Sequence, residues 1–155
     1  MGDLIRLIAI DILVVAGISA AVGITAPHWQ GAWLSGDHLM LRQAPWETPV
    51  FLRRFPTARW ARALPEWGAT FGGESKRRVP ARDPGAIAAY LVEVRRAEWV
   101  HWASVFSWVP LAFFNPWWLT LIFAVIVTVG NAPFMMILRS NRIRLTAILE
   151  RLRMT

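Results

Sequence analysis

Two long apolar stretches decide most of what this chain can become: LIRLIAIDILVVAGISAAVGITA at residues 4–26 and WWLTLIFAVIVTVGNAPFMMIL at residues 117–138. A helix needs about 20 predominantly apolar residues to cross the hydrocarbon core of a bilayer, and both stretches meet that length. A third, shorter stretch at residues 99–114 ends on Asn115-Pro116, a turn signal, so it pairs with 117–138 as a hairpin. Trp117 and Trp118 suit the headgroup level at the hairpin tip. The fold class expected is an all-α membrane protein with about three transmembrane helices, an N-terminal span plus a C-terminal helical hairpin, and interfacial amphipathic helices. Residues 1–155 form a single integral-membrane domain. Ten tryptophans, one tyrosine and 55% hydrophobic residues argue against an ordinary soluble domain. Residues 4–26 carry Asp11 and exceed the 7–15 apolar residues of a typical signal sequence, so they are read as a retained helix, with Asp11 snorkelling beside Arg6.

Positive charge sets the orientation. Most of the seventeen Lys and Arg lie in residues 27–98 or in the tail at 139–153. Both belong in the cytoplasm by the positive-inside rule, which places the N-terminus outside and the C-terminus inside a multi-pass cell-membrane protein. The net charge of +7 also fits nucleic acid. The interleaved aromatic and basic side chains of FLRRFPTARWARALPEWG (51–68), next to three spans, favour membrane lipids as partners over nucleic acid. Asn131 and Pro133 are expected to interrupt the third span. Beyond it, Leu145, Ile148, Leu149 and Leu152 form the apolar stripe of an expected interfacial helix over about 139–153. With no cysteine, thiolate nucleophiles and disulfides are excluded.

The chemistry-bearing stretch is RRAEWVHW, residues 95–102. Asp83 as N-cap and Pro84 at the first helical position start a helix that carries Arg95, Glu98 and His101 on one face at three-residue spacing. A histidine with a carboxylate one turn before it is a candidate general base with an orienting group. Lys76, Arg95 and Arg96 could hold a phosphate-bearing donor. The same residues equally suit an ion pair at the start of a membrane helix, with His101 as a hydrogen-bonded boundary residue. Glu98 and His101 have the spacing found in di-metal carboxylate bundles. The second Glu-x-x-His that such a site requires is missing, so no metal is expected.

The segments RWARALPEWGATFGGESKRR (59–78), RRAEWVHW, FFNPWW (113–118) and NAPFMMILRSNRIRL (131–145), in this order, resemble the glycosyl-4,4'-diaponeurosporenoate acyltransferase family of small bacterial membrane proteins. The resemblance implies transfer of a fatty acyl group to a sugar hydroxyl of a glycosylated carotenoid or related glycolipid. No cofactor is implied beyond an acyl donor such as acyl-CoA or another activated carrier. It extends to Trp60, Leu64, Pro65, Lys76, Arg96, Glu98, His101, Trp102, Asn115, Pro116, Asn131, Pro133, Arg139, Asn141 and Arg142. The family pattern near the third-helix exit resembles Gln-Arg-Tyr-Asn-Arg, where this chain has Leu138 and Ser140 in place of the Gln and Tyr. His101 would be the base and Glu98 its orienting partner, both catalytic. Lys76, Arg95, Arg96, Asn131, Arg139, Asn141 and Arg142 would bind substrate or stabilise the oxyanion. A reading from another class is a non-catalytic pigment- or lipid-binding subunit that packs with protein partners in a larger membrane complex.

Overall fold

The computed structural model describes residues 2–64 and 83–154, and every regular element among them is a helix. The first, α1, runs Gly2–Thr25 and continues as a 3-10 helix, Ala26–His28. Two short helices follow an irregular stretch: α2, Pro49–Leu52, and α3, Thr57–Ala63. Next comes α4, Pro84–Val105, which starts as its sequence predicts: Asp83 is the N-cap, and its carboxylate accepts the Ala86 amide at 2.7 Å. A 3-10 helix, Phe106–Phe113, carries the chain to the Asn115-Pro116 turn, and α5, Trp117–Met154, returns. The expected position of Lys76 lies outside the described residues.

Two helical segments, Gly2–His28 and Trp117–Met154, are long and apolar enough to cross a membrane. Few of their apolar residues are covered within the chain. Leu13 of α1 is 72% exposed, and Leu121, Ile122, Val125, Ile126 and Val129 leave an uncovered stripe on α5. Facing water, such stripes would be costly; facing lipid, they are what a spanning helix presents.

The shorter segment 99–114 is built otherwise than as one spanning helix. Pro110 cannot donate to an α-helical ladder, so α4 ends at Val105 and the tighter 3-10 helix takes the chain on to the turn. In contrast, Pro133 does not interrupt α5, which holds its course for 38 residues. Packed neighbours tolerate an internal proline in such helices. The tail at 139–153 is therefore the last part of α5 rather than a separate surface helix. Its stripe also has a different partner from the expected membrane surface. Leu138, Leu145 and Leu149 are buried against Ile87, Tyr90, Leu91 and Val94 of α4, with Ile148 and Leu152 alongside. Each such side chain contributes about 1.5–3 kcal/mol when it leaves water.

The molecule thus has one antiparallel helix pair with two regions. The polar-faced halves of α4 and α5 pack against each other at the ends remote from the turn. Near the turn, Leu111, Leu119 and Phe123 pack with Leu7, Ile8, Val14 and Val15 of α1. Asp11 belongs to this second region, and it does not snorkel: it is fully buried and accepts a 2.8 Å hydrogen bond from the Asn115 side chain. A carboxylate buried among apolar residues needs such a donor, and the turn supplies it.

Candidate functional site

Between α1 and α2 the chain has little regular structure, and its shape comes from a few anchors. Leu34 and Leu41 are fully buried. Glu47 closes the loop on itself by accepting the Ala44 amide at 2.6 Å, while the Gln43 side chain donates to its carbonyl at 2.7 Å. Leu39 takes a left-handed φ of 48°, a conformation that costs a branched side chain roughly 1–3 kcal/mol. The carbonyls that follow it, at Met40, Leu41 and Arg42, all turn towards two arginines on α5.

Those arginines, Arg139 and Arg142, meet Glu98 of α4. Glu98 is fully buried; one of its oxygens accepts from Arg139 at 2.7 Å and the other from Arg142 Nε at 2.8 Å. Arg139 also grips Glu47 in a two-point pair at 2.7 and 2.6 Å. Arg142, 1% exposed, donates to Asp37, whose second oxygen accepts from Arg95 at 2.7 Å. Three guanidiniums and three carboxylates are so interlocked that their charges balance. Balance and saturated hydrogen bonding are what make a buried ionic cluster tolerable. Burial alone would push the Glu47 carboxyl up. The Arg139 hydrogen bond, the Ala44 amide and the charges of Arg139 and Arg142 outweigh it and hold the group below its ordinary 4.5.

His101 lies one turn further along α4 and has a different partner. Its Nδ1 is 2.8 Å from Asn131 Oδ1 on α5, and its ring stacks on Phe134 with centroids 5.0 Å apart. Asn131 donates its own amide to the Val127 carbonyl at 2.9 Å. A carbonyl can only accept, so the Asn131 nitrogen must face Val127 and its oxygen must face the imidazole. Nδ1 then donates the hydrogen, and in a neutral imidazole the lone pair is on Nε2, the nitrogen a general base uses. His101 is half-buried.

Of the residues expected to act together, the structure gathers Arg95, Glu98, Arg139 and Arg142 into the ionic cluster and joins His101 to Asn131. Glu98 holds the two arginines instead of the imidazole. Arg96 pairs with Glu93 on its own helix. Asn141 faces away from the cluster and lines a small cavity with Arg144. Two members of the cluster, Asp37 and Glu47, escaped the sequence reading. A signal existed: they are the only acidic residues between 27 and 64, in a segment rich in arginine.

A cavity of about 500 Å³ opens on the other side of α4, lined by His28, Trp29, Gln30, Trp33, Trp99 and Ala103. Trp33 and Trp99 stack at 4.9 Å and fasten the segment after α1 to α4. No group of three or more His, Asp or Glu residues among the described ones is gathered to hold a metal ion.

The family model described as glycosyl-4,4'-diaponeurosporenoate acyltransferase matches residues 37–151. The matched region begins at Asp37 and takes in the whole ionic cluster, His101 and Asn131, while α1 lies before it. No curated protein and no solved structure matches the chain.

Proposed function

The chain belongs to the glycosyl-4,4'-diaponeurosporenoate acyltransferase family, and from that premise we propose that it transfers a fatty acyl group to a sugar hydroxyl of a glycosylated carotenoid or related glycolipid at the cytoplasmic boundary of the membrane. The observation that carries the proposal is the His101–Asn131 pair at 2.8 Å. Asn131 fixes the tautomer, so that Nε2 of His101 can take the proton of the acceptor hydroxyl. The hydroxyl oxygen then bonds to the acyl carbon of an activated donor such as acyl-CoA. The bond from that carbon to the donor sulfur breaks, and His101 returns the proton to the departing thiolate. With a preformed base on hand and no cysteine in the chain, direct attack is favoured over an acyl-enzyme.

The ionic cluster has a positioning role in this reading. Glu98, Arg139 and Arg142 hold α4 and α5 in the register that brings His101 to Asn131. Along α5, Asn131 stands between the lipid-facing turns ending at Val129 and the ionic turns at Arg139 and Arg142. That depth suits an acceptor with a polar head and an apolar tail. The N-terminus outside and the C-terminus inside complete the reading, since the ionic turns then face the cytoplasm.

The test is mass spectrometry of lipids extracted from cells that carry the wild-type protein or His101→Ala. An acylated glycolipid or glycosyl carotenoid is expected only with the wild type, with both proteins present in the membrane. General acid–base groups contribute about 10²–10⁴-fold, so retained turnover in His101→Ala would sink the proposed base. The tryptophan-lined cavity favours a second reading, a non-catalytic pigment- or lipid-binding subunit. Lipid profiles that match, with no acylated product that depends on the protein, together with pigment that co-purifies with it, would support that reading.

A further inference from the structure

We propose that the cavity between α3 and α5 is a binding site for a phosphate oxyanion, held by Arg144, Asn141, Ser140 and Thr57. This site is distinct from the His101 chemistry. Arg144 stands about 200° around α5 from Arg142, so it faces away from the ionic cluster and from α4.

The cavity has a volume of about 110 Å³, room for one tetrahedral anion. Space exists because α3 presents the small side chains of Ala58 and Ala61 there, with Ile137 of α5 completing the wall. Four residues with polar side chains are among those that line it: Arg144, Asn141, Ser140 and Thr57. None of the four is hydrogen-bonded or ion-paired through its side chain to another described residue. The contrast with Arg139 and Arg142, two helical turns or less away and fully occupied, is the central observation. No carboxylate is among the residues that line the cavity, and none among the described residues pairs with the exposed Arg144.

The surroundings add the same sign of charge. Arg53, Arg54, Arg59 and Arg62 of the α2–α3 segment are exposed, and no carboxylate among the described residues pairs with any of them. Between them runs a chain of ring contacts, Trp46 to Phe51, Phe51 to Phe55 and Phe55 to Trp60, with centroids 5.1, 5.3 and 6.4 Å apart. Aromatic rings beside exposed guanidiniums suit the headgroup layer, where phosphates are plentiful. A planar guanidinium recognises a phosphate through paired hydrogen bonds, and hydroxyl and amide groups complete the shell. The phosphate can arrive on a membrane lipid or as a soluble anion, and the chemistry of recognition is the same.

The experiment uses the full chain in detergent micelles. Native mass spectrometry reads retention of phosphatidylglycerol against phosphatidylcholine, and calorimetric titration reads inorganic phosphate. Arg144→Gln should weaken binding about tenfold, the loss of one charge-assisted contact. Arg151→Gln, which removes an exposed charge from the same helix outside the cavity, should leave it unchanged. Ala61→Leu fills the cavity and touches no charge, and it should weaken binding as well. Retention of phosphatidylglycerol that follows this pattern identifies the lipid as the source. Inorganic phosphate that follows it without lipid retention identifies a soluble anion. Equal losses in Arg144→Gln and Arg151→Gln, or undiminished binding in Ala61→Leu, would overturn the site in favour of diffuse basic attraction. Thermal melts of each variant verify that the fold is intact, and none of these outcomes depends on whether His101 is a base.

Discussion

Glu98→Gln is the substitution that asks most of the ionic cluster. The amide has nearly the shape of the carboxylate, so packing changes little. Chemistry changes more, because both Glu98 oxygens accept from arginines at 2.7 and 2.8 Å. Glutamine offers one oxygen, and its NH2 must face a guanidinium that can only donate. Three guanidiniums would then face two carboxylates in a region where Glu98 and Arg142 are 0% and 1% exposed. Removing one partner of a buried pair costs about 3–5 kcal/mol, mostly from the charge left behind. For a chain of this size that corresponds to a fall in melting temperature on the order of 10 °C. Tryptophan fluorescence during heating in detergent reads it directly. A double variant, Glu98→Leu with Arg142→Met, restores the charge balance and should recover most of the loss. If Glu98→Gln melts at the wild-type temperature, the carboxylate is not the counter-ion of this cluster. A variant that melts normally yet makes no product would move Glu98 from the scaffold into the chemistry.

Other expectations follow from the same contacts. Since Glu47 is held below its ordinary 4.5 by its partners, its ionised form stabilises the fold at neutral pH. That stability is lost as the pH falls through the lowered value, so melts taken from pH 6 downward should fall more steeply for the wild type than for Glu47→Gln. Asn131→Ala frees the imidazole to take either tautomer; product formation should drop by a smaller factor than in His101→Ala, with membrane levels unchanged on an immunoblot. Asp11→Leu leaves the half-buried Asn115 amide without its acceptor, at a cost of about 1–3 kcal/mol, and adding Asn115→Leu should restore part of the melting temperature. Trp33→Ala removes the stack on Trp99 and its contribution of about 0.5–1.5 kcal/mol beyond area, visible as faster proteolysis in the segment after α1.

Much of the architecture was legible because it is local. Apolar length marked α1 and the start of α5, Asp83-Pro84 marked the start of α4, and Asn115-Pro116 marked the turn. The sequence also put Arg95 and Glu98 on one face of α4, where they are found. What it could not reveal was the partner of each charge. Asp37 and Glu47 sit in an irregular segment without periodicity, and their arginines lie 58 to 105 residues away. Proximity on a helix suggested Glu98 with His101, but Arg139 and Arg142 come from an antiparallel neighbour and hold the carboxylate through charge-assisted bonds. The tail stripe misled for a related reason: an apolar face has the same pattern whether it covers lipid or another helix. Pro133 removes one backbone donor, but α4 packs alongside through His101 against Asn131 and Phe134, and α5 stays whole.

The unbroken course of α5 has a mechanical consequence. Its 38 residues span about 57 Å at 1.5 Å per residue, nearly twice a hydrocarbon core of about 30 Å. One stiff rod therefore carries lipid-facing turns, the asparagine that orients His101, and the two arginines that clasp the 37–47 loop. Rotating or tilting that rod displaces all three together. Bilayer thickness, loop docking and imidazole alignment become coordinates of a single rigid body, and a change imposed on any one of them is transmitted to the others.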